Sequence, residues 1–262
     1  MATRDATWDY RDRFTDDFAR TYFRAFENCV ISSIGVGTYL GDPTDEADEN
    51  YHDAIVEALE SGINVVDTAI NYRHQRSERV VGRAIDEAAV DRDAVFLATK
   101  GGFLPFDGSR PADPGRYIRE EYVDPGIVDP GDLVRGQHCI APDFIDDQLD
   151  RSLSNLGVDS IDLYYVHNPE TQLEDRSREE VYDLLESTFV RLEERADAGE
   201  IRSYGVASWD AFRVSQDGEQ YLSLPAVVER SEAAAERAGN AMTHLRAIQL
   251  PFNVYMADAF TV

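Results

Sequence analysis

The chain has 262 residues, and its 51 acidic and 25 basic residues give a formal net charge of −26 at pH 7. A charge of this size repels nucleic acid and anionic membranes, so neither is an expected partner. Because 43% of the residues are hydrophobic, the acidity accompanies a folded core rather than disorder. The basic residues are 24 arginines and one lysine, Lys100. This composition is typical of adaptation to multimolar salt, which screens the self-repulsion.

Neither the cysteines nor the apolar segments indicate secretion or membrane insertion. Cys29 and Cys139 lie far apart, so no disulfide framework is predicted. No apolar run reaches about 18 residues, and the first residues, MATRDATWDYRDRF, lack the apolar core of a signal peptide. We therefore expect a cytoplasmic protein of one or two domains, either halophilic or an ordinary acidic protein.

Short apolar segments alternate with amphipathic segments from residue 31 onward. The predicted strands are 31–40, 63–69, 94–101, 161–169, 201–208 and 247–253. The predicted helices are 44–62, 77–89, 142–157, 178–200 and 225–239. Thr44 is predicted to begin the first helix, Gly62 to be its C-cap, and Ser77 to lie near the N-cap of the second helix. This alternation predicts an α/β domain with a parallel sheet over residues 31–262, after an N-terminal extension over residues 1–30.

A long segment rich in proline and glycine, residues 102–141, separates the third predicted strand from the next helix. It contains Tyr117, Ile118, Tyr122 and Val123, whose side chains can anchor a segment by burial. A loop of this length inside a compact domain is usually functional. We expect an ordered excursion over one end of the sheet that acts as a lid. A surface insertion without a function is the alternative.

Three of the predicted strands end in an ionisable residue, namely Asp67, Lys100 and His167. Burying a single charge in apolar surroundings is costly unless the charge is paired. The carboxyl ends of parallel strands lie on one face of the sheet, and in a (β/α)8 barrel that face holds the active site. One such residue is often structural, but three at successive strand ends predict a site.

Tyr72 follows Asp67 by five residues, in the loop after the second strand. A phenol has an ordinary pKa of about 10, and a neighbouring cation such as Lys100 is predicted to lower it toward neutrality. Asp67 would keep Lys100 charged and oriented, and His167 would hydrogen-bond a carbonyl oxygen of the substrate. Together these residues predict a site that protonates an alkoxide as hydride reaches the carbonyl carbon. Packing alone is the alternative role for a loop tyrosine.

Several segments resemble, in order, the aldo-keto reductase superfamily. They are GVGTYLG, INVVDTAINY with SERVVGRAI after it, LATKGG, YYVHNPE, GEIRSYGVAS and AIQLPFN, which together cover roughly residues 31–253. The resemblance implies a parallel (β/α)8 TIM barrel that reduces an aldehyde or a ketone to an alcohol with NADPH or NADH and without a metal. It implies Asp67, Tyr72, Lys100 and His167 as the catalytic residues, with Tyr72 as the general acid.

The same resemblance implies four cofactor-binding residues, Thr38, Asp67, Ser208 and Gln249. Thr38 would approach the nicotinamide end of the cofactor, and Gln249 would bind its carboxamide. Family members commonly carry Ser-Asn after the fifth strand, where this chain has Ala207 and Ser208. Ser208 can make one hydrogen bond there, but it cannot pair with an amide through two bonds. The sequence does not distinguish NADP(H) from NAD(H).

About six βα units are predicted, whereas an eight-stranded barrel needs two more. In the family, the remaining part supplies an aromatic residue that stacks on the nicotinamide and a basic loop that holds the adenosine phosphates. We expect a barrel that is incomplete at its C-terminus, from a truncated product with weakened cofactor affinity. Completion by another chain and an unusual barrel are the alternatives. The open edges of six parallel strands would also favour self-association.

Other kinds of site fit the sequence less well. Gly35, Gly37 and Gly41 miss the G-x-G-x-x-G spacing of a dinucleotide-binding turn. The five histidines show no His-x-His or i, i+4 pair, which disfavours a hydrolytic metal site. Two functional alternatives stay open. One is a Schiff-base enzyme of the aldolase type that uses Lys100, and the other is a cofactor-binding or interaction protein without turnover.

Overall fold

The computed structural model describes residues 1–260, which contain eight strands and seven α-helices. The strands are β1 Phe23–Phe26, β2 Cys29–Ser32, β3 Val36–Gly37, β4 Val65–Asp67, β5 Phe96–Gly101, β6 Ile161–His167, β7 Ile201–Ala207 and β8 Leu245–Gln249. The helices are α1 Arg4–Arg13, α2 Asp45–Glu60, α3 Arg76–Glu87, α4 Pro114–Ile118, α5 Pro142–Leu156, α6 Arg178–Asp197 and α7 Leu224–Ala238. Strands β3 to β8 form a six-stranded sheet in chain order, and β1 pairs antiparallel with β2. The predicted α/β architecture is confirmed.

The ends of α2 and the start of α3 lie where the sequence predicts them. The Thr44 hydroxyl accepts a hydrogen bond from a backbone N–H in the first turn of α2, and Gly62 follows this helix with a φ of +97°. Glycine adopts such a left-handed backbone without a steric penalty. Ser77 lies inside the first turn of α3, where its hydroxyl donates to the Thr38 carbonyl. The prediction that Ser77 lies near the N-cap of this helix is confirmed, since the N-cap is Gln75.

The first predicted strand, residues 31–40, is divided in the structure. β2 pairs with β1, and Val36–Gly37 alone joins the parallel sheet, beside β4. The Ser32 hydroxyl donates to a carbonyl two residues later at 2.7 Å, and a Cβ on Gly35 would lie 2.9 Å from the Val65 side chain. One continuous strand is therefore a wrong prediction, because a side-chain bond and a close approach turn the chain at this point. β2 also spans residues 30 and 31, the predicted boundary of the N-terminal extension.

The chain divides into two compact units, here called unit 1 and unit 2. Unit 1 comprises Met1–Thr99, Pro105–Arg110 and Arg151–Leu163. Unit 2 comprises Lys100–Leu104, Pro111–Asp150 and the chain from Tyr164 onward. Unit 1 thus contains α1 to α3 and β1 to β4, and unit 2 contains α4, α6, α7, β7 and β8. All residues of β5 and β6 are buried, as expected for parallel strands that are covered on both faces.

Asn64 joins three chain segments at the start of β4 in unit 1. Its side-chain oxygen accepts from the Ser32 N–H at 2.8 Å, and its amide nitrogen donates to the Val30 and Ala94 carbonyls at 3.1 and 3.0 Å. Its backbone N–H donates to the Ser32 hydroxyl at 3.1 Å, and its carbonyl accepts from the Phe96 N–H at 2.7 Å. A buried asparagine thereby satisfies backbone groups that would otherwise have no partner.

Replacing Asn64 by alanine is expected to lower the free energy of unfolding by about 3 kcal/mol or more. The change removes three side-chain hydrogen bonds and leaves three buried backbone groups unsatisfied, at about 1–3 kcal/mol for each group. Urea unfolding followed by circular dichroism measures the effect. Asn50→Ala, on the exposed side of α2, is the matched control and is expected to change the value by less than about 0.5 kcal/mol. Equal effects of the two changes would contradict the role of Asn64.

The 102–141 segment is ordered in the structure. Its part in unit 2 includes α4, a π-helical turn over Arg119–Val123 and a 3-10 turn over Pro130–Asp132. One buried apolar cluster anchors it, formed by Leu104, Tyr122, Val128, Cys139 and Phe144. The segment is therefore an excursion that is held by its own buried side chains. Its action as a lid stays a prediction.

Glu193 of α6 is fully buried in unit 2 and accepts five hydrogen bonds. Oε1 accepts from the Tyr204 hydroxyl at 2.8 Å, the Thr243 hydroxyl at 3.1 Å and the His244 N–H at 2.7 Å. Oε2 is bonded to the Asn240 amide at 2.9 Å and to His244 Nδ1 at 2.6 Å. Burial acts to raise the pKa of Glu193, but these bonds to the carboxylate outweigh it and leave the pKa lowered. The network connects α6 with β7 and with the start of β8.

Acid is expected to destabilise unit 2 partly through Glu193. Its folded pKa lies below its unfolded value, which is about 4.3. The stabilisation by the carboxylate is therefore fully present above that unfolded value and is lost as the pH falls through the folded pKa. Urea unfolding between about pH 7 and pH 3 should show a shallower loss of stability in Glu193→Gln than in the wild type. Glu229→Gln, an exposed change on α7, should keep the wild-type slope, and equal slopes for all three proteins would contradict the assignment.

Candidate active site

The three predicted strand-end residues lie where the sequence places them. Asp67 is the last residue of β4, Lys100 is the penultimate residue of β5 and His167 is the last residue of β6. Asp67 pairs in parallel register with Gly37 of β3 and with Ala98 of β5. Each of the three strands therefore presents an ionisable residue at its carboxyl end.

Tyr72 lies in unit 1, in the turn that follows β4. Its N–H donates to the Ala69 carbonyl at 3.0 Å, and its ring meets the Tyr39 ring edge to face with centroids 5.0 Å apart. Burial raises the pKa of the Tyr72 phenol above its ordinary value, and the charges of Asp67 and Tyr39 raise it further. The predicted lowering of this pKa is therefore wrong, because burial penalises the phenolate and a nearby carboxylate adds to the penalty. The phenol keeps its proton at neutral pH.

Three consecutive residues after Tyr72 have left-handed backbone conformations, although none of them is glycine. The φ angle is +47° at Arg73, +58° at His74 and +69° at Gln75. A residue with a side chain is destabilised by about 1–2 kcal/mol in this conformation. Such a turn persists only where the surrounding contacts hold it.

Side-chain contacts of Arg73 and Gln75 hold this turn. Arg73 is ion-paired with Asp48 of α2, and it also donates to the Thr44 carbonyl at 3.2 Å. The Gln75 amide donates to the Phe106 carbonyl at 2.9 Å. These bonds attach the turn to α2 and to the neighbouring loop of unit 1. They therefore fix the backbone next to Tyr72.

Thr38, a predicted cofactor contact, is buried in unit 1. Its hydroxyl donates to the Thr68 hydroxyl at 2.8 Å, and its carbonyl accepts from the Ser77 hydroxyl at 2.9 Å. These bonds connect the segment after β3 with the end of β4 and with the first turn of α3. Because the single hydroxyl proton of Thr38 is used by Thr68, Thr38 can offer a ligand an acceptor lone pair rather than a donor.

Lys100 and His167 are both buried in unit 2. Their exposed fractions are 1% and 9%, respectively. Burial and the positive charge of Lys100 lower the pKa of His167 well below its ordinary value. A smaller contribution in the same direction comes from His138. The His167 imidazole is therefore neutral at neutral pH, and a neutral imidazole carries one N–H that can donate to an acceptor.

Ser208 follows β7 in unit 2 and uses its hydroxyl within the protein. The hydroxyl donates to the Glu170 carboxylate at 3.0 Å and accepts from the Ala211 N–H at 2.8 Å. The same oxygen of Glu170 accepts from the Trp209 N–H at 2.7 Å and the Asp210 N–H at 3.0 Å. Glu170 thus organises the start of the loop after β7.

Ser208 and Gln249, the two predicted contacts to a carboxamide, are neighbours in unit 2. The Ser208 N–H donates to the Gln249 carbonyl at 2.9 Å, and Ala207 pairs with Gln249 in the register of β7 and β8. The structure therefore brings these two residues together. It likewise places Asp67 beside Tyr72 in unit 1 and Lys100 beside His167 in unit 2, since each pair interacts electrostatically.

A model of the Aldo/keto reductase family matches residues 33–227 of this chain. The chain belongs to the aldo/keto reductase family. The uncharacterized oxidoreductase YqkF of Bacillus subtilis (strain 168) is 31% identical over 179 residues, which cover 68% of this chain and 45% of that protein. The NADH-specific methylglyoxal reductase of Escherichia coli (strain K12) is 29% identical over 192 residues, which cover 71% of this chain and 51% of that protein.

Solved structures of aldo-keto reductases share the fold of this family member. The holo form of AKR11C1 from Bacillus halodurans superposes with a TM-score of 0.57 at 23% identity, covering 88% of this chain and 57% of that one. The glycerol dehydrogenase AKR11B4 from Gluconobacter oxydans gives the same TM-score and identity and covers 90% and 57%. The chain spans about half the length of the curated relatives that it matches.

Aldo/keto reductases generally use a nicotinamide cofactor, and the residues present fit its carboxamide in part. Gln249 carries an amide, which can both donate to and accept from a carboxamide. The Ser208 hydroxyl already donates to Glu170 and accepts from Ala211, so it can offer a carboxamide only its second acceptor lone pair. Of the two, Gln249 is the residue that we expect to hold this end of the cofactor.

Sequence patterns do not indicate two residues that contact members of this candidate site, His138 and Glu170. Nε2 of His138 lies 2.9 Å from the His167 carbonyl. Glu170 follows His167 by three residues, and an acid directly after an apolar strand is the signal that could have found it. His138 has no strand-end position, and its role depends on how the 102–141 excursion folds.

The described residues of this family member contain neither a cluster of metal-ligating side chains nor a helix suited to span a membrane. Within residues 1–260, no group of three or more His, Cys, Asp or Glu side chains is arranged to hold a metal ion. Among the helices of the described chain, none is long and apolar enough to cross a membrane.

Proposed function

We propose that this chain carries the catalytic residues of an NAD(P)H-dependent reductase that converts an aldehyde or a ketone to an alcohol. The observation that carries the proposal is the position of Asp67, Lys100 and His167 at the carboxyl ends of three parallel strands in a member of this family. Tyr72 follows Asp67 at the spacing that the family resemblance requires. Carboxyl ends of parallel strands are where α/β enzymes place their active sites.

Tyr72 is the proposed general acid. The bound nicotinamide cofactor supplies hydride to the carbonyl carbon, and the carbonyl oxygen then needs a proton. The phenol of Tyr72 holds its proton at neutral pH, since burial and Asp67 raise its pKa. It can transfer that proton from its hydroxyl to the developing alkoxide, which in water is a far stronger base than a phenolate. The family resemblance assigns to Lys100 the role of stabilising the resulting phenolate by its positive charge.

His167 is the proposed donor to the substrate carbonyl oxygen. Its lowered pKa keeps the imidazole neutral, so that the ring carries one N–H and no charge is buried with it. A donor at this place polarises the carbonyl group and stabilises negative charge on its oxygen in the transition state. We expect the substrate to be a small carbonyl compound, and we expect the protein to act in the cytoplasm without a nucleic acid or membrane partner.

The experiment that tests the proposal separates cofactor binding from turnover. NADPH and NADH are titrated separately, in multimolar KCl, while tryptophan fluorescence is recorded. Trp209 directly follows Ser208 and is about half exposed, so quenching reports on this region. Methylglyoxal is a suitable first substrate, because the relative from Escherichia coli is named for its reduction. We expect saturable quenching by at least one nucleotide, followed by its oxidation when the aldehyde is added.

Three results would contradict the proposal. The absence of quenching by either nucleotide would exclude catalysis by this chain. Saturable binding without oxidation, over a panel of aldehydes and ketones, would favour the cofactor-binding alternative. Borohydride added with the carbonyl substrate alone should leave Lys100 unmodified, and a borohydride-dependent adduct on Lys100 would favour Schiff-base chemistry.

A further inference from the structure

The two ends of the 102–141 excursion, residues 102–104 and 137–139, lie against the end of β6; together they are called its base here. The excursion leaves and returns through a short antiparallel contact between Phe103 and His138. The Leu104 N–H donates to the Gln137 carbonyl at 2.8 Å, and the Cys139 N–H donates to the Gly102 carbonyl at 2.9 Å. Two backbone hydrogen bonds therefore fix His138 at this base, and both come from residues of the apolar cluster, Leu104 and Cys139.

Both ring nitrogens of His138 form hydrogen bonds, and the partners determine which nitrogen is the donor and which is the acceptor. Nε2 lies 2.9 Å from the backbone carbonyl of His167, which can only accept, so Nε2 carries the proton. Nδ1 lies 2.8 Å from the side-chain nitrogen of Gln172 and accepts from it. The amide orientation of Gln172 is set in turn by Arg176, which donates to its oxygen. Burial lowers the pKa of His138 to about 4, so the ring stays neutral with this single proton.

The packing around His167 leaves little freedom for its backbone. The Phe103 ring meets both imidazoles edge to face, with centroids 4.6 Å from His138 and 5.2 Å from His167. A Cβ on Gly102 would lie 2.7 Å from the His167 carbonyl oxygen and 3.4 Å from Nε2 of His138. Asn168, the next residue, has a left-handed φ of +48°, a conformation that needs support from its surroundings.

We propose that His138 is a positioning residue, which holds the His167 backbone so that the His167 imidazole points at the substrate carbonyl. This inference rests on the proposed function for the role of His167. The hydrogen bond from His138 is accepted by the backbone carbonyl of His167, and His167 is also the residue whose ring has to be oriented toward the substrate. The buried side chain of Gln172, itself held by Arg176, keeps His138 in one orientation. In this way the 102–141 excursion affects the reaction through His138.

Two substitutions distinguish the contributions of the two ring nitrogens of His138. His138→Asn keeps a polar group near the position of Nδ1, which faces Gln172, and loses the donor to His167. His138→Gln reaches the position of Nε2 and keeps that donor. Val128→Ala is the matched control, because it removes buried side-chain volume from the same excursion without touching His167. Urea unfolding of each full-length variant shows which of them are folded and comparably stable.

Two measurements are made on each variant. The first is the NMR signal of the His167 ring in protein labelled at histidine, without cofactor or substrate. The chain has five histidines, and the signal that disappears in His167→Gln identifies His167. The second is kcat and KM for carbonyl reduction. A misplacement of about 1 Å can lower a rate by about 100-fold, and such a loss falls on kcat when the interaction is made in the transition state.

We expect His138→Asn to shift or broaden the His167 signal and to lower kcat by about 10–100-fold, with KM within about threefold. His138→Gln and Val128→Ala should stay within about threefold of the wild type in kcat. An unchanged His167 signal in His138→Asn would overturn the inference. Equal losses in all three variants would also overturn it, in favour of general support of the fold. If the wild type reduces no carbonyl compound, the proposed function fails, and the NMR signal alone still decides whether His138 positions His167.

Discussion

Tyr72→Phe is expected to lower kcat for carbonyl reduction by about 10³-fold, within the range that a positioned general acid contributes. The change removes the hydroxyl that donates the proton and keeps the ring, so that the edge-to-face contact with Tyr39 is preserved. Cofactor affinity should stay within about twofold of the wild type, because no cofactor contact is assigned to Tyr72. Steady-state kinetics and fluorescence titration of the same preparation measure both quantities.

A second tyrosine change separates loss of the proton donor from a disturbance of unit 1. Tyr51→Phe removes a hydroxyl that donates to the Leu40 carbonyl at 2.7 Å, and we expect kcat to change by less than about threefold. The burial of Tyr72 also predicts that activity persists well above neutral pH, since its raised pKa keeps the phenol protonated there. A wild-type kcat in Tyr72→Phe would refute the role of Tyr72, and a loss of the same size in Tyr51→Phe would assign the effect to the fold.

The parts of the molecule that follow from periodicity could be predicted from the sequence. A run of apolar residues that is buried on both faces marks a parallel strand, and β5 and β6 are of this kind. An ionisable residue at the end of such a run stands out, because burying a charge is costly unless the charge is paired. Asp67, Lys100 and His167 could be predicted for this reason, and so could the six strands of the parallel sheet.

The remaining features depend on contacts between residues that are distant in the chain. The raised pKa of Tyr72 follows from its burial, which no local pattern reports for a tyrosine in a loop. His138 lies 29 residues before His167, and the bond between them forms only because the excursion returns to β6. The engagement of Ser208 by Glu170 spans 38 residues in the same way. A sequence shows which side chains can bond, whereas the folded chain decides which of them meet.

Lys100→Arg is expected to lower kcat by about 100-fold although it preserves the positive charge. Lys100 is 1% exposed, and the guanidinium group is larger and planar, so it cannot occupy the place of a compact ammonium without moving its neighbours. The 24 other basic residues of this chain are arginines, so Lys100 is the one position at which the chain has a compact ammonium side chain.

Lys100→Met is the companion change to Lys100→Arg. It removes the positive charge of Lys100, so the two variants together distinguish the effect of the charge from the effect of the side-chain shape. The charge of Lys100 helps to lower the pKa of His167, so its removal should raise that pKa, whereas Lys100→Arg should leave it low. An NMR titration of the His167 ring measures this difference without any substrate. If Lys100→Arg kept the wild-type kcat, a compact ammonium would not be required, and if Lys100→Met left the pKa of His167 unchanged, the two side chains would not interact. A low kcat in both variants with a raised His167 pKa only in Lys100→Met would show that the site needs the charge and the shape of lysine together.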